Sequence, residues 1–173
     1  MTASRRDTPA VDAAPLHPLV EPLAFLLGTW TGEGVGDYPS IERFAYREEV
    51  RFAHAGKPFL TYAQRTWERD GGAPLHSESG FWRTVGRGRV ELVLAHPFGV
   101  VEVSEGAHED SRLEVTSRTL ASSSTGSRVD AIVRRLSVDG DVLRYSVDMA
   151  AGGRPLQRHL DAELQRAAPA GAA

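Results

Sequence analysis

Between Phe44 and Phe52 the chain alternates with a period of two. Phe44, Tyr46, Glu48, Val50 and Phe52 fall on one face, and Arg43, Ala45, Arg47, Glu49 and Arg51 on the other. Successive side chains of a strand point to opposite faces, so this is a strand with one dry and one wet side. The turn residues Ala55-Gly56-Lys57-Pro58 and Asp70-Gly71-Gly72 bracket a second extended run, Phe59 to Arg69. The same punctuation predicts strands over Leu75 to Val85, Arg89 to His96, Val100 to Ala107, Arg112 to Thr119, Arg128 to Val138 and Val142 to Met149. A first strand around Thr29 to Gly34 and a last one near Pro155 to Leu164 bring the count to ten. Ahead of them, Leu19, Leu23, Leu26 and Leu27 lie at helical spacing between Pro18 and Leu27, and Gly28 follows as a stop. That segment is a short helix with an apolar face to dock.

Short connections imply antiparallel neighbours. Ten up-and-down strands with one apolar face close most simply into an all-β barrel of the lipocalin or fatty-acid-binding type, which removes exposed edges. Eight strands already enclose room for side chains or one small ligand, so ten leave a cavity unless bulky residues plug it. The barrel is expected over residues 16–166, with aperiodic flexible tails at 1–15 and 167–173.

The 173 residues carry a formal charge of −3, which argues against a general basic face for nucleic acid. No apolar run approaches the ~20 residues of a membrane span, and Met1-Thr2-Ala3-Ser4-Arg5-Arg6 leads into small polar residues, as expected of a cytoplasmic protein. Cysteine is absent. Disulfides, thiolate metal sites, thiol nucleophiles and thioether attachment of haem are therefore excluded, and any metal must be held by His, Tyr, Met or carboxylates.

Six histidines are present. His17 precedes the helix, and His54 and His108 adjoin turns, which suits surface positions. His96 ends a strand before Pro97, where it can cap the sheet or line a rim. His76 shares a strand face with Glu78, Gly80 and Trp82 and can face either way. In Arg154 to Leu164, Leu156, Leu160 and Leu164 fit a helix or one strand face; as a strand, the alternation puts His159 opposite those leucines, beside Gln157 and Asp161. Pattern alone makes it a structural residue more readily than a ligand. Gly-x-Ser-x-Gly, Walker-type and His-Glu-x-x-His motifs are missing. Gly28-Thr29-Trp30-Thr31-Gly32-Glu33-Gly34 has the wrong spacing for a nucleotide loop. Its glycines instead suit close backbone approach, with Trp30 filling the closed end.

That heptad, with Tyr38-Pro39-Ser40-Ile41, resembles the Gly-x-Trp-x-Gly-x-Gly signature of the nitrobindin family (Gly28, Trp30, Gly32, Gly34). Colinear blocks extend the resemblance across nearly the whole chain: Phe44-x-Tyr46-x-Glu48-Glu49-Val50, Gly56-Lys57-Pro58-Phe59-Leu60-x-Tyr62, Leu75-His76-Ser77-Glu78, Leu92-Val93-Leu94-Ala95-His96-Pro97 and Pro155-Leu156-Gln157-x-His159-Leu160.

The resemblance implies a ten-stranded barrel holding one non-covalent haem b at its mouth, with His159 as axial ligand to the iron and as the catalytic residue. It places the hydroxyl of Ser40 and, more loosely, Arg128 near the cofactor. The implied activity is isomerisation of peroxynitrite to nitrate by ferric haem, with reversible nitric oxide binding by the ferrous form and a homodimer as the assembly. A non-enzymatic carrier or sensor of haem, nitric oxide or an apolar ligand would use the same barrel, and a side-chain-filled barrel would be a purely structural module.

Overall fold

The computed structural model describes residues 14–168; positions 1–13 and 169–173 of the expected tails lie outside the described residues. Ten strands follow one short helical segment: β1 (Gly28–Tyr38), β2 (Ile41–Ala53), β3 (Leu60–Glu68), β4 (Pro74–Thr84), β5 (Arg89–His96), β6 (Val100–Glu109), β7 (Arg112–Ser122), β8 (Val129–Asp139), β9 (Val142–Ala151) and β10 (Gln157–Arg166). Each pairs antiparallel with its sequence neighbour, and β1 also pairs with β10, from Trp30 opposite Arg166 to Gly36 opposite Leu160. The barrel is closed, as the strand count and short turns predicted. Among the described residues no helix is long and apolar enough to cross a membrane.

The predicted helix is a 3-10 helix over Pro18–Leu26. Pro22 sits inside it, has no N–H to donate and crowds the preceding turn, so a regular α-helical ladder is unavailable and the tighter form takes over. His17 caps it, its Nδ1 accepting the Leu19 N–H at 3.2 Å. Val20, Leu23 and Leu26 are fully buried and plug one end of the barrel onto Trp30, Phe52, Leu60, Leu92 and Leu164. Each such aliphatic side chain contributes roughly 1.5–3 kcal/mol by leaving water. Trp30 Nε1 donates to the Leu26 carbonyl at 2.7 Å, and the Arg166 guanidinium stacks 4.0 Å over the Trp30 ring while donating to the carbonyls of Phe25 and Leu27. The helix end is thereby satisfied from β10.

The glycine heptad has a packing role here. A Cβ at Gly32 would strike the Glu163 carbonyl and Leu164 Cα, and one at Gly34 would strike the Tyr46 ring. Their absence lets β1 approach β10 on one side and leaves space for a large inward aromatic on the other.

Candidate functional site

The end opposite the 3-10 helix is ringed by the β1–β2, β3–β4, β5–β6, β7–β8 and β9–β10 connections and opens into a cavity of ≈ 410 Å³. That lies within the ~300–1,000 Å³ of small-molecule sites. Ile41, Phe44, Leu75, Ile132, Val147, Met149 and Leu160 supply apolar wall; Gln64, Glu78, His96 and Arg134 bring polar atoms, and His76 and His159 complete the lining with Tyr46, Thr66 and Phe98. Below this layer only a gap of ≈ 20 Å³ remains between the large side chains Phe52, Tyr62, Trp82 and Leu143. Ten strands therefore give both outcomes the sequence allowed: one half is plugged and the other is hollow.

His159 reaches the cavity through a local irregularity. In the β9–β10 ladder Arg158 pairs with Asp148 and Leu160 with Val147, so His159 is an extra residue, a β-bulge. The strict alternation expected from sequence placed His159 on the side away from the leucines. The bulge reverses the parity of the strand, and His159 and Leu160 line the mouth together. The imidazole Nδ1 lies 3.2 Å from the Asp37 carbonyl, and the ring meets Tyr38 edge-on at 5.4 Å. A carbonyl only accepts, so Nδ1 carries the proton and Nε2 keeps its lone pair. Burial lowers the His159 pKa; the Asp37 hydrogen bond opposes this, and the nearby His76 and Arg134 add to the lowering. The ring is thus held neutral, the form that ligates a metal.

Beneath the mouth lies a buried polar layer. Arg134 donates to both oxygens of Glu78 at 3.0 Å and to Glu102 Oε2 at 3.1 Å; Tyr62 donates to Glu78 Oε1 at 2.8 Å and Ser104 to Glu102 Oε1 at 2.6 Å. Burial pushes both carboxyls up, but the guanidinium of Arg134 and the hydrogen bonds they accept outweigh it. Glu78 is held well below the usual carboxylate range and Glu102 at about 2. Burial opposes the charge of Arg134, yet the two carboxylates raise its pKa well above normal. Beside this cluster, Glu48 accepts from Tyr145 at 2.7 Å and from Gln64, and Tyr145 shares a 2.8 Å bond with Tyr46. Burial dominates at Glu48 and pushes its carboxyl up to about 7.

His96 is buried in this layer and does more than cap a strand end: its Nε2 lies 3.4 Å from Glu102 Oε2. His76 is half-buried and lines the cavity, its ring 5.7 Å from that of His96. Ser40 is exposed in the β1–β2 turn, next to the cavity-lining Ile41. Arg128 is exposed at the end of the β7–β8 connection and pairs with Asp130 at 2.9 Å; the adjacent Ser127 N–H donates to the carbonyl of Phe98, a residue of the cavity wall. Both therefore occupy loops that ring the mouth. Sequence reasoning had not singled out Glu48, Glu78, Glu102 or Arg134. Their signal was present, a charge at an inward-phase position of an otherwise apolar strand face.

The donor set fits haem. It offers one neutral, oriented imidazole in a largely apolar, open-topped cavity, with no cysteine for covalent attachment. Residues 19–166 match the model of the THAP4-like, heme-binding beta-barrel domain. The chain is 48% identical over 155 residues to a peroxynitrite isomerase of Nocardia farcinica, covering 87% of this chain and 92% of that one. It is also 48% identical over 157 residues to peroxynitrite isomerase 2 of Mycobacterium marinum, covering 88% and 98%. The crystal structure of Rv2717c from M. tuberculosis superposes with a TM-score of 0.84 at 45% identity, covering 89% of this chain and all of that one. With the matched family spanning nearly every described residue, the chain belongs to the THAP4-like heme-binding β-barrel family, as its resemblance to nitrobindins led us to expect.

Proposed function

We propose that this chain is a haem-dependent peroxynitrite isomerase that converts peroxynitrite to nitrate, in which His159 Nε2 would hold the haem iron. The observation that carries the reading is the bulge, which turns a neutral imidazole with its Nε2 lone pair free into the mouth of a barrel from a haem-binding family. The bound ferric haem supplies the rearrangement chemistry; the protein supplies ligation, burial and access. The Asp37 carbonyl fixes the His159 ring, so the nitrogen that would hold the haem iron is oriented in advance. The largely apolar wall would bury the haem ring, and the open mouth would give a small anion access to it. Ser40 and Arg128, on the surrounding loops, are proposed as contacts for the polar edge of the cofactor. We take the cofactor to be one non-covalent haem b per chain, with nitric oxide binding the ferrous form, in a cytoplasmic homodimer.

The test is reconstitution with haemin. Wild type is expected to retain a Soret band through desalting, and His159→Ala to lose more affinity than the roughly 10–100-fold that removal of an outer partner of a metal ligand costs. In stopped-flow mixing, the ferric protein is expected to raise nitrate yield above spontaneous decay. A retained Soret band without extra nitrate would replace the isomerase with a haem or nitric oxide carrier, and no retained band would overturn both.

A further inference from the structure

Across the mouth from β10, the β4–β5 wall carries a second constellation that the haem reading does not use. His76 and Glu78 alternate on β4, and His96 closes β5; one ligand atom from each lies within 4.8 Å of the other two. Glu78 Oε2 stands 3.3 Å from His96 Nδ1 and 3.7 Å from His76 Nε2. Two donors bound to one ion at about 2.0–2.1 Å and a near-tetrahedral angle stand about 3.3–3.4 Å apart, so the first separation is that of co-ligands.

His96 supplies an independent observation. Its side chain is only 3% exposed, and Nδ1 has no hydrogen-bond partner despite the nearby carboxylate. The other nitrogen, Nε2, faces Glu102, which is itself fixed by Ser104 and Arg134. A histidine whose far N–H is held by a carboxylate and whose near lone pair is free has the outer-shell arrangement of a metal ligand. Charge points the same way. Glu78 and Glu102 present two buried carboxylates to the single guanidinium of Arg134, and a lone pair on His96 Nδ1 facing Glu78 Oε2 is repulsive until a cation lies between them.

We propose that His76, Glu78 and His96 form a binding site for a divalent first-row transition-metal ion on the cavity wall opposite His159. The ligands are His76 Nε2, Glu78 Oε2 and His96 Nδ1, with Glu102 and Arg134 as positioning residues. Two nitrogens and one oxygen suit zinc, iron or cobalt better than magnesium or calcium, and the cavity side leaves a coordination position open. The site shares no ligand with the haem reading but faces the same cavity, so it is tested in the haem-free chain.

The experiment is titration of the untagged, haem-free full chain with Co²⁺, following the visible ligand-field bands, with Zn²⁺ as competitor. One Co²⁺ per chain is expected, displaced by Zn²⁺. His76→Ala, which removes a half-exposed ligand and leaves the Arg134 bonds to Glu78 and Glu102 in place, is expected to weaken binding at least tenfold, as is His96→Gln; circular dichroism verifies that each variant is folded. His159→Ala is expected to keep wild-type cobalt affinity while losing haem. Absence of saturable ligand-field bands in wild type would overturn the site and leave a proton on His96 Nδ1 in the cation's place. Unchanged affinity in folded His76→Ala would overturn it too, as would loss of cobalt in His159→Ala, which would move the ion to the haem ligand.

Discussion

The two ends of this barrel solve opposite problems with the same ten strands. At the closed end, Val20, Leu23 and Leu26 of the 3-10 helix meet Trp30, Leu60 and Leu92 with no exposure at all, and the helix is tied down by a few neutral or carbonyl-directed bonds such as Trp30 Nε1 to Leu26 and Arg166 to Phe25. At the mouth, apolar walls surround open volume, and the floor is made of carboxylates, an arginine and phenols. The closed end is held by area removed from water, which is non-directional and tolerant. The floor is held by directional bonds among charges, which add little net stability while intact and cost much when one member is removed. Binding capacity in this fold therefore follows from where packing stops. The polar layer is the boundary that keeps the mouth from collapsing into the core.

The sharpest way to break this contrast is Arg134→Leu. Glu78 and Glu102 would be left buried, facing each other with no guanidinium, and Tyr62 and Ser104 cannot neutralise them. Removal of one partner from a buried ion network costs about 3–5 kcal/mol. Urea denaturation at neutral pH should show that loss, shrinking as pH is lowered and the two carboxyls protonate. A loss below about 1 kcal/mol would mean that the floor is wetter and more adaptable than its geometry indicates.

Leu23→Ala makes the complementary cut. It opens a void under the helical plug, and a fully buried Leu→Ala change costs about 2–5 kcal/mol, here toward 3 because several aliphatic neighbours can partly close in. The loss should be independent of pH and should leave haem retention by the folded protein unchanged. A change in haem affinity at constant fold would show that the two ends are mechanically coupled through the floor.

How much of this could be read from the chain alone follows the same division. Period-two alternation and glycine-rich turns made the strands legible, because each strand buries one face and every turn is short. The helix was legible in place but not in type, since Pro22 acts on backbone geometry that leucine spacing does not report. At the floor, Glu78 on β4, Glu102 on β6 and Arg134 on β8 come from strands that are not neighbours in the sheet. Each charge was visible as an anomaly on its own strand, yet their convergence across the lumen depends on barrel closure and stagger. His159 is the clearest case. Resemblance pointed to the residue while periodicity pointed it outward, and one unpaired residue between Arg158 and Leu160 reconciles them.

The finest distinction within the floor is between its ionised carboxylates and Glu48. Glu48 has Tyr145 and Gln64 as donors but no directly bonded cation, and burial raises its carboxyl from the ordinary 4.5 to about 7. A group with a raised folded pKa takes up its proton on folding. The unfolded chain ionises as pH rises through about 4.5 while the folded chain keeps its proton to about 7, so Glu48 costs stability progressively across that window and by a constant amount above it. The size is on the order of 3 kcal/mol. Glu78 and Glu102 act in the other direction and in a different window, since their lowered values contribute stability that is lost as pH falls below about 4.5. Glu48→Gln should therefore be more stable than wild type at pH 8, with the difference fading toward pH 4.5. Comparing the two proteins by denaturation at matched pH cancels the opposing contribution of His159, whose lowered pKa favours the folded state as pH rises through its own range. A flat difference across pH 5–8 would place Glu48 with the ionised carboxylates and would make the floor one charged network instead of two.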